Sequence, residues 1–555
     1  MEELWRRVMP DSRCTVYFGC GDGEPLWCLR QRNPQMNLVA VETDAALRLN
    51  AGNRGFSVLA SAAAALQWLE QENCRVDAWI IEPAAWQDET LTRSLRQSIL
   101  ARMNDGGVVV WDFANQRYWQ AVLRLLQGKP ETAARQSLTL LVEDLRQAEV
   151  EGIEIVGIKA EQQSDPAEFQ RFIDLATPLA KAAGVSQQEQ QTLWAADRLL
   201  LRGWVRPADA APLTIHAALG ETKVCSRVRM DEPGEFLLTL PKVDYRKISA
   251  AERELPVAQR QVWIWQRRLY SYEAMVLLQR RLLAAKTLTI QEWDDDPLNW
   301  EEHFRQSRFA ELRSAHAIQT STPKLAEYLR QYNPEVRVFP NCIAELPPLC
   351  EPDPQAAAVT LFFGAINREQ DWQPIMPVLN EILQAADQNI RCVVVHDQQF
   401  FAALRTEHKH FVPFCAFSEY RRLLQQSDIA LLPLLPGRFN QMKSDLKFVE
   451  CAAFGAAVLA SPTVYADSVV DGETGLLYET PSEFAAGLDR LLHDAALRRS
   501  IRRQAWQWVG ENRLLCRHYR ERLAWYRSLR QRYDELTAAI GQRVPELRLP
   551  EGFHG

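Results

Sequence analysis

Residues 443–475 read KSDLKFVECAAFGAAVLASPTVYADSVVDGETG. Leu446, Val449, Ala453 and Phe454 recur at helical spacing, which predicts an amphipathic helix over 444–454. Lys447 and Glu450 fall on one face of that helix, one turn apart. A short apolar run, 456–461, reads as a buried strand, and 469–475 as a closing turn. A cation beside a carboxylate suits a nucleoside diphosphate: the ammonium neutralises phosphate and the carboxylate accepts from ribose hydroxyls. The same pair is equally what a surface ion pair on a solvated helix looks like.

Outward from this stretch, residues 356–490 alternate strands and helices. Strands are expected at 359–363, 390–395 and 428–433, with helices at 418–426 and 444–454, which is the pattern of a doubly wound parallel sheet. The run K-x-x-E-x-x-A-x-G-x-x-V-L-A-S followed by D-G-x-T-G-L-L resembles the carboxyl half of retaining GT-B glycosyltransferases. The resemblance implies that Glu450 holds the donor ribose and that Lys447 lies near the diphosphate. It also implies a donor-facing loop after the first strand, from Gly364 to Arg368, with Arg368 and Lys443 as further cations. Many members carry a second glutamate upstream of the first, at the position Met442 occupies here.

Residues 212–350 form the expected amino, acceptor-side lobe. A strand over 213–219 leads into Gly220. The run 223–230, KVCSRVRM, alternates as a strand would, so Arg227 and Arg229 are expected to point one way into the cleft and grip phosphate or an anionic acceptor. Asp294, Asp295 and Asp296 end another strand; they suit a divalent cation, a helix cap or an acceptor-side carboxylate cluster. GT-B enzymes do not usually need a metal, and none is expected. His216 and His316 are better read as packed core histidines than as general bases.

The first 208 residues hold a third alternation, with strands near 15–18, 37–41, 56–59, 76–81, 107–111, 153–158 and 199–205. The first strand runs into Gly19-Cys-Gly-Asp-Gly23, and the second ends at Glu42, about 20 residues on, where nucleoside binders hold ribose hydroxyls. F-G-C-G-D-G, the acidic strand end and the late strand pair resemble class I S-adenosylmethionine-dependent methyltransferases. That implies cofactor contacts at Gly19, Gly21, Gly23 and Glu42. Tyr17 stands where members usually carry an acid, and no N-P-P-Y signature follows the fourth strand, which reads W-I-I-E-P. A working methyltransferase and a degenerate domain kept for docking are both open readings.

The expected fold class is therefore α/β with three doubly wound Rossmann-like units: 1–208, 212–350 and 356–490, followed by helices and a tail over 491–555. The last segment interleaves arginines with Trp506, Trp508, Trp525 and Tyr526. It is expected to pack back on the amino lobe, as GT-B carboxyl helices do, with a helix on an anionic membrane surface as its rival. Net charge −7 argues against nucleic acid as a partner. Eleven cysteines without a paired framework, and no secretory leader, point to the cytoplasm, and no apolar run is long enough to span a bilayer. The expected activity is transfer of a sugar from a nucleotide sugar to a glycan, lipid or protein acceptor, with retention, in glycan or surface-polysaccharide synthesis. The alternatives are a bifunctional enzyme that also uses S-adenosylmethionine, and a non-catalytic sugar- or partner-binding adaptor.

Overall fold

The computed structural model describes residues 4–82, 93–115, 117–127, 138–158, 166–182, 193–219, 223–248, 261–350, 358–366, 368–385 and 390–548. The chain divides into two compact units: Met1–Pro212 with Leu238–Val243, and Leu213–Leu237 with Asp244–Gly555.

The first unit is built on a seven-stranded sheet: β1 (Cys14–Phe18), β2 (Asn37–Val41), β3 (Val58–Leu59), β4 (Val76–Ile81), β5 (Met103–Ala114), β6 (Val150–Ile158) and β7 (Arg198–Val205), in the order β3-β2-β1-β4-β5-β7-β6. β1 pairs in parallel with β2 and β4, while β7 runs antiparallel to both β5 and β6. Strands buried on both faces read as continuous apolar runs, which is why β1 and β4 were legible. Phe18, Trp79 and Trp111 meet edge to face in the core, at centroid distances of 5.8 and 5.1 Å.

The second unit holds two six-stranded sheets. One comprises β8 (Leu213–Ala218), β9 (Val243–Ile248), β10 (Gln261–Gln266), β11 (Leu288–Glu292), β12 (Ala317–Thr320) and β13 (Val336–Val338), ordered β13-β12-β11-β10-β8-β9. The other comprises β14 (Val359–Gly364), β15 (Ile390–Val395), β16 (Lys409–Val412), β17 (Ile429–Leu432), β18 (Ala457–Ala460) and β19 (Leu476–Leu477), ordered β16-β15-β14-β17-β18-β19 and parallel throughout. These are the two lobes of the expected α/β arrangement. In such sheets ligands gather at the carboxyl ends of the strands, where the order reverses; here that is beside β14.

One element differs from expectation. Residues 223–230 are not a strand: Lys223–Ser226, Arg227–Asp231 and Glu232–Leu237 form one continuous helical stretch. Pro233 cannot donate a backbone hydrogen bond, and the turn before it widens so that Glu232 N–H reaches back to Arg227 O. Tyr245 on β9 packs on this helix, and its hydroxyl donates to Met230 O at 2.9 Å. Gly234 makes room for the ring, since a Cβ there would lie 2.2 Å from a Tyr245 ring carbon.

The last helices return to the amino lobe. Trp525 packs on Phe339, Tyr526 Oη donates to Gln319 Oε1 at 2.7 Å, and Ile540, Val544 and Leu547 share a core cluster with Val276 and Leu283. Of the aromatic residues of this segment, Trp525 and Tyr526 are buried inside the unit, while Trp506 and Trp508 are half-buried. Among the described residues no helix is long and apolar enough to cross a membrane.

Candidate active site

The predicted helix spans Leu446–Ala453, from Asp445 at its amino end to Phe454, where Gly455 turns the chain with φ +89°. Its carboxyl half is wholly buried, and Glu450 lies on that side at 5% exposure. Lys447 and Glu450 share the helix but not a partner. Lys447 Nζ donates to Tyr420 Oη at 2.9 Å and stands 4.7 Å over that ring. No carboxylate lies within ion-pair distance of Lys447 among the described residues.

The other expected donor-side cations surround the loop before this helix. Arg368 Nη1 donates to Asn440 Oδ1 at 2.9 Å and to Asp371 Oδ2 at 3.2 Å. Asp371 Oδ1 accepts from Leu435 N–H and Asn440 Nδ2. Arg368 therefore braces the 435–440 loop through Asp371. Lys443 lies 3.6 Å from Asp295 Oδ1 and 4.1 Å over the Phe439 ring; burial holds its ammonium below the ordinary lysine range, with Asp295 opposing that shift. Gly364 ends β14 where a Cβ would come within 2.9 Å of the Phe362 ring and 3.2 Å of Tyr420, so packing alone requires a glycine there. Met442 is buried in a cluster with Trp293, Phe304 and Leu325 of the amino lobe. At this position the chain uses an apolar contact between lobes instead of a second carboxylate.

From the amino lobe, Arg227 reaches across. Its Nη2 donates to Glu450 Oε1 at 3.0 Å, its Nη1 to Glu232 Oε1 at 2.5 Å, and its guanidinium stacks 3.4 Å from the Phe417 ring centroid. Burial pushes Glu232 up to about 7, against the opposing pull of Arg227. Arg229 points elsewhere, because a helix separates two positions that a strand would have aligned. It is 1% exposed and grips Glu292 through two contacts of 2.8 and 3.2 Å, with Phe339 O and Asn341 Oδ1 taking the rest of its fork. Glu292 also accepts from Gln319. Arg229 is thus a structural cation joining β11 to the end of the lobe, and not a side chain open to an acceptor. Gly220 lies outside the described residues.

The acidic triplet is divided among partners. Asp294 pairs with Arg267 at 2.5 Å, Asp295 faces Arg267 and Lys443, and Asp296 caps the Pro297–Trp300 turn while facing Arg438 at 3.4 Å. His316 is fully buried between Thr289 and Thr537, and burial lowers it to about 3. His216 is buried, stacked on Trp263, and burial lowers it too. Neither is placed as a proton shuttle.

In the first unit Gly19, Gly21 and Gly23 all take positive φ, as the glycine turn requires. Glu42 stands at the tip of β2 as expected, but it is 4% exposed and its two oxygens already accept from Gly21 N–H at 2.8 Å and Asp44 N–H at 3.0 Å. Tyr17 Oη donates to Glu82 Oε1 at 2.5 Å, tying the tips of β1 and β4 together. Burial raises both of these groups. Each Glu42 oxygen thus already takes one backbone N–H, which ties the strand end to the glycine loop and leaves the carboxylate part of its acceptor capacity.

Sequence reasoning missed Asp371, Asn440, Tyr420, Phe417 and Glu232. Only Asp371 had a local signal, since Arg368 and Asp371 lie one helical turn apart.

The family described as "Glycosyl transferase-like" matches residues 374–526. No curated protein matches the chain. Among solved structures, the chain is similar to Anabaena HepE in complex with UDP and glucose (13% identity over 57% of this chain and 99% of that one, TM-score 0.41). It is also similar to sucrose-phosphate synthase from Thermosynechococcus elongatus (12% identity, 58% and 99%, TM-score 0.43). A SAM dependent methyltransferase from Archaeoglobus fulgidus matches at 12% identity over 36% of this chain and 88% of that one, with a TM-score of 0.25. The stretch with the glycosyl transferase-like match contains Lys447 and Glu450 and excludes Arg368 and Arg227.

Proposed function

We propose that this protein is a glycosyltransferase that moves a sugar from a nucleotide-sugar donor, held mainly by the carboxyl lobe, to an acceptor entering from the amino lobe. The observation that carries the reading is the glycosyl transferase-like match over 374–526, which spans the helix bearing Lys447 and Glu450. Two features support it. Among the described residues Lys447 has no counter-carboxylate, which suits it to stabilising a departing diphosphate. Glu450 has an oxygen that no described side chain or backbone group donates to, suited to ribose hydroxyls. Arg368 and Lys443 add positive charge beside the loop that follows β14. Retention at the anomeric carbon, a glycan acceptor and a place in surface-polysaccharide synthesis are the finer parts of the proposal, and they rest on the motif's resemblance. Turnover of a nucleotide-sugar panel by the purified chain, with and without Glu450→Ala, tests it. Undiminished turnover by the variant removes Glu450 from the site.

For the first unit the favoured reading is a scaffold retained without methyl transfer, because Glu42 is engaged by the loop it would need to share with a cofactor. Calorimetry with millimolar S-adenosylmethionine decides this: measurable binding restores the bifunctional alternative.

A further inference from the structure

Arg227 is the amino-lobe side chain that reaches the carboxylate on which donor recognition is proposed to depend. Three contacts define its position. Glu232, on its own helical stretch, holds Nη1; the ring of Phe417, on the carboxyl lobe, has its centroid 3.4 Å from the guanidinium carbon; and Nη2 reaches Glu450 Oε1. Such a fork is directional, and with Nη1 and the ring face held, Nη2 restricts where the one Glu450 oxygen it meets can lie. The remaining oxygen, Oε2, accepts from no described residue. Glu450 is also nearly buried, and a buried carboxylate needs a cation partner to remain a strong acceptor. Arg227 supplies that partner without occupying both oxygens.

We infer that Arg227 is a positioning residue for donor recognition: from the amino lobe it orients Glu450 so that Oε2 is presented to the ribose hydroxyls of a nucleoside diphosphate. This rests on the donor reading above and deepens it. It also makes ribose recognition a property of both lobes, since the acid comes from one and its orientation from the other. Two positions apart on a helical stretch, the arginines diverge, so that Arg229 goes to the core while Arg227 goes to the lobe boundary.

The test compares a ribonucleoside diphosphate, chosen as the one the wild type binds best among UDP, ADP and GDP, with its 2′,3′-dideoxy analogue, by calorimetry on the full chain. The expected wild type prefers the ribonucleotide. Arg227→Met is expected to narrow the ribo-to-dideoxy affinity ratio by about tenfold, a loss typical of a charge-assisted hydrogen bond, while leaving dideoxy affinity unchanged. Arg227→Lys, which keeps the charge, recovers most of the ratio. Should Arg227→Met fail to fold, Glu232→Gln carries the same test by loosening the guanidinium from its own lobe, with a narrowing of at least about threefold. An unchanged ratio in the folded variant, or a ratio that widens because Arg227 had been competing with ribose, overturns the inference while leaving the donor reading intact. A wild type that binds no nucleoside diphosphate, or that binds both forms equally, overturns the donor reading at Glu450 and the inference with it.

Discussion

Arg229→Met separates a cation that builds the fold from one that binds a ligand. In the wild type Arg229 and Glu292 are both fully buried, and the guanidinium also serves Phe339 O and Asn341 Oδ1. Removing it leaves Glu292 with the Gln319 amide and the charge of Arg522 among the described residues, and leaves two further acceptors short of a donor. An uncompensated buried charge costs about 3–5 kcal/mol, and each orphaned acceptor adds about 1 kcal/mol. Glu292 escapes part of this by taking a proton, because burial already raises it even beside Arg229. The loss should therefore be greater at pH 8 than at pH 6. Urea unfolding of the full chain, followed by tryptophan fluorescence, reads it as a lowered midpoint for the unit containing 244–548. The transition of the first unit, which holds none of these residues, is the internal reference. Arg229→Met combined with Glu292→Leu should recover more than half of the loss, since it removes the stranded charge along with its partner. The reasoning is refuted if Arg229→Met unfolds within about 0.5 kcal/mol of wild type and its only effect is a higher KM for the acceptor.

Glu232 sits near 7 against an ordinary 4.5, so its contribution to stability is full below pH 4.5 and is lost as pH rises through 7; Arg227 opposes the shift while Glu450 and Glu345 reinforce it. Glu232→Gln should abolish a fall of about 3 kcal/mol between pH 5 and 8, measured by denaturant titration across that range. His316 has the opposite sign: its folded value near 3 lies below the ordinary 6.5, so the neutral ring stabilises above pH 6.5 and that contribution disappears as pH falls towards 3. His316→Gln should lower the midpoint of acid unfolding followed by circular dichroism. Gly234→Ala places a methyl 2.2 Å from the Tyr245 ring and should cost about 1–3 kcal/mol, with Tyr245→Leu relieving the clash in the double variant. Lys447→Ala should weaken nucleoside diphosphate binding more than Arg368→Ala does, because Asp371 already faces Arg368 whereas Lys447, among the described residues, is partnered by a phenol and no carboxylate; calorimetry of both variants against one ligand checks the order.

The carboxyl lobe was the most legible part of the sequence, for a physical reason. Parallel strands buried on both faces, such as Ile390–Val395 and Ala457–Ala460, are short apolar runs between helical periods, and nothing else of that length looks the same. Residues 223–230 failed because a run this short cannot separate period two from period 3.6. The evidence for a helix lay beyond the run, in the apolar Phe236 and Leu237 that follow a proline and a glycine. The long-range partners of the two arginines were not readable. Glu292 lies 63 positions from Arg229, and Glu450 lies 223 from Arg227. No local pattern encodes a pairing made by the return of the chain, and the same holds for Met442, whose apolar neighbours belong to the other lobe.

What distinguishes a binding cation from a structural one here is the charge already facing it. Arg229 is matched by a buried glutamate and enclosed on all sides. Arg368 faces Asp371 at 3.2 Å with an amide beside it, so its charge is largely answered within the lobe. Lys443 meets Asp295 only at 3.6 Å, across the boundary between lobes, and leans on the face of Phe439. Lys447 donates to Tyr420 and has no carboxylate partner among the described residues. Coulomb energy between a cation and an incoming diphosphate is diminished by every carboxylate that the cation keeps. The positive field available to a ligand therefore increases from Arg229 through Arg368 and Lys443 to Lys447. That gradient leads to the helix that also carries Glu450, so the least neutralised of these cations and the carboxylate that Arg227 meets stand one turn apart, the spacing on which the proposed donor site depends.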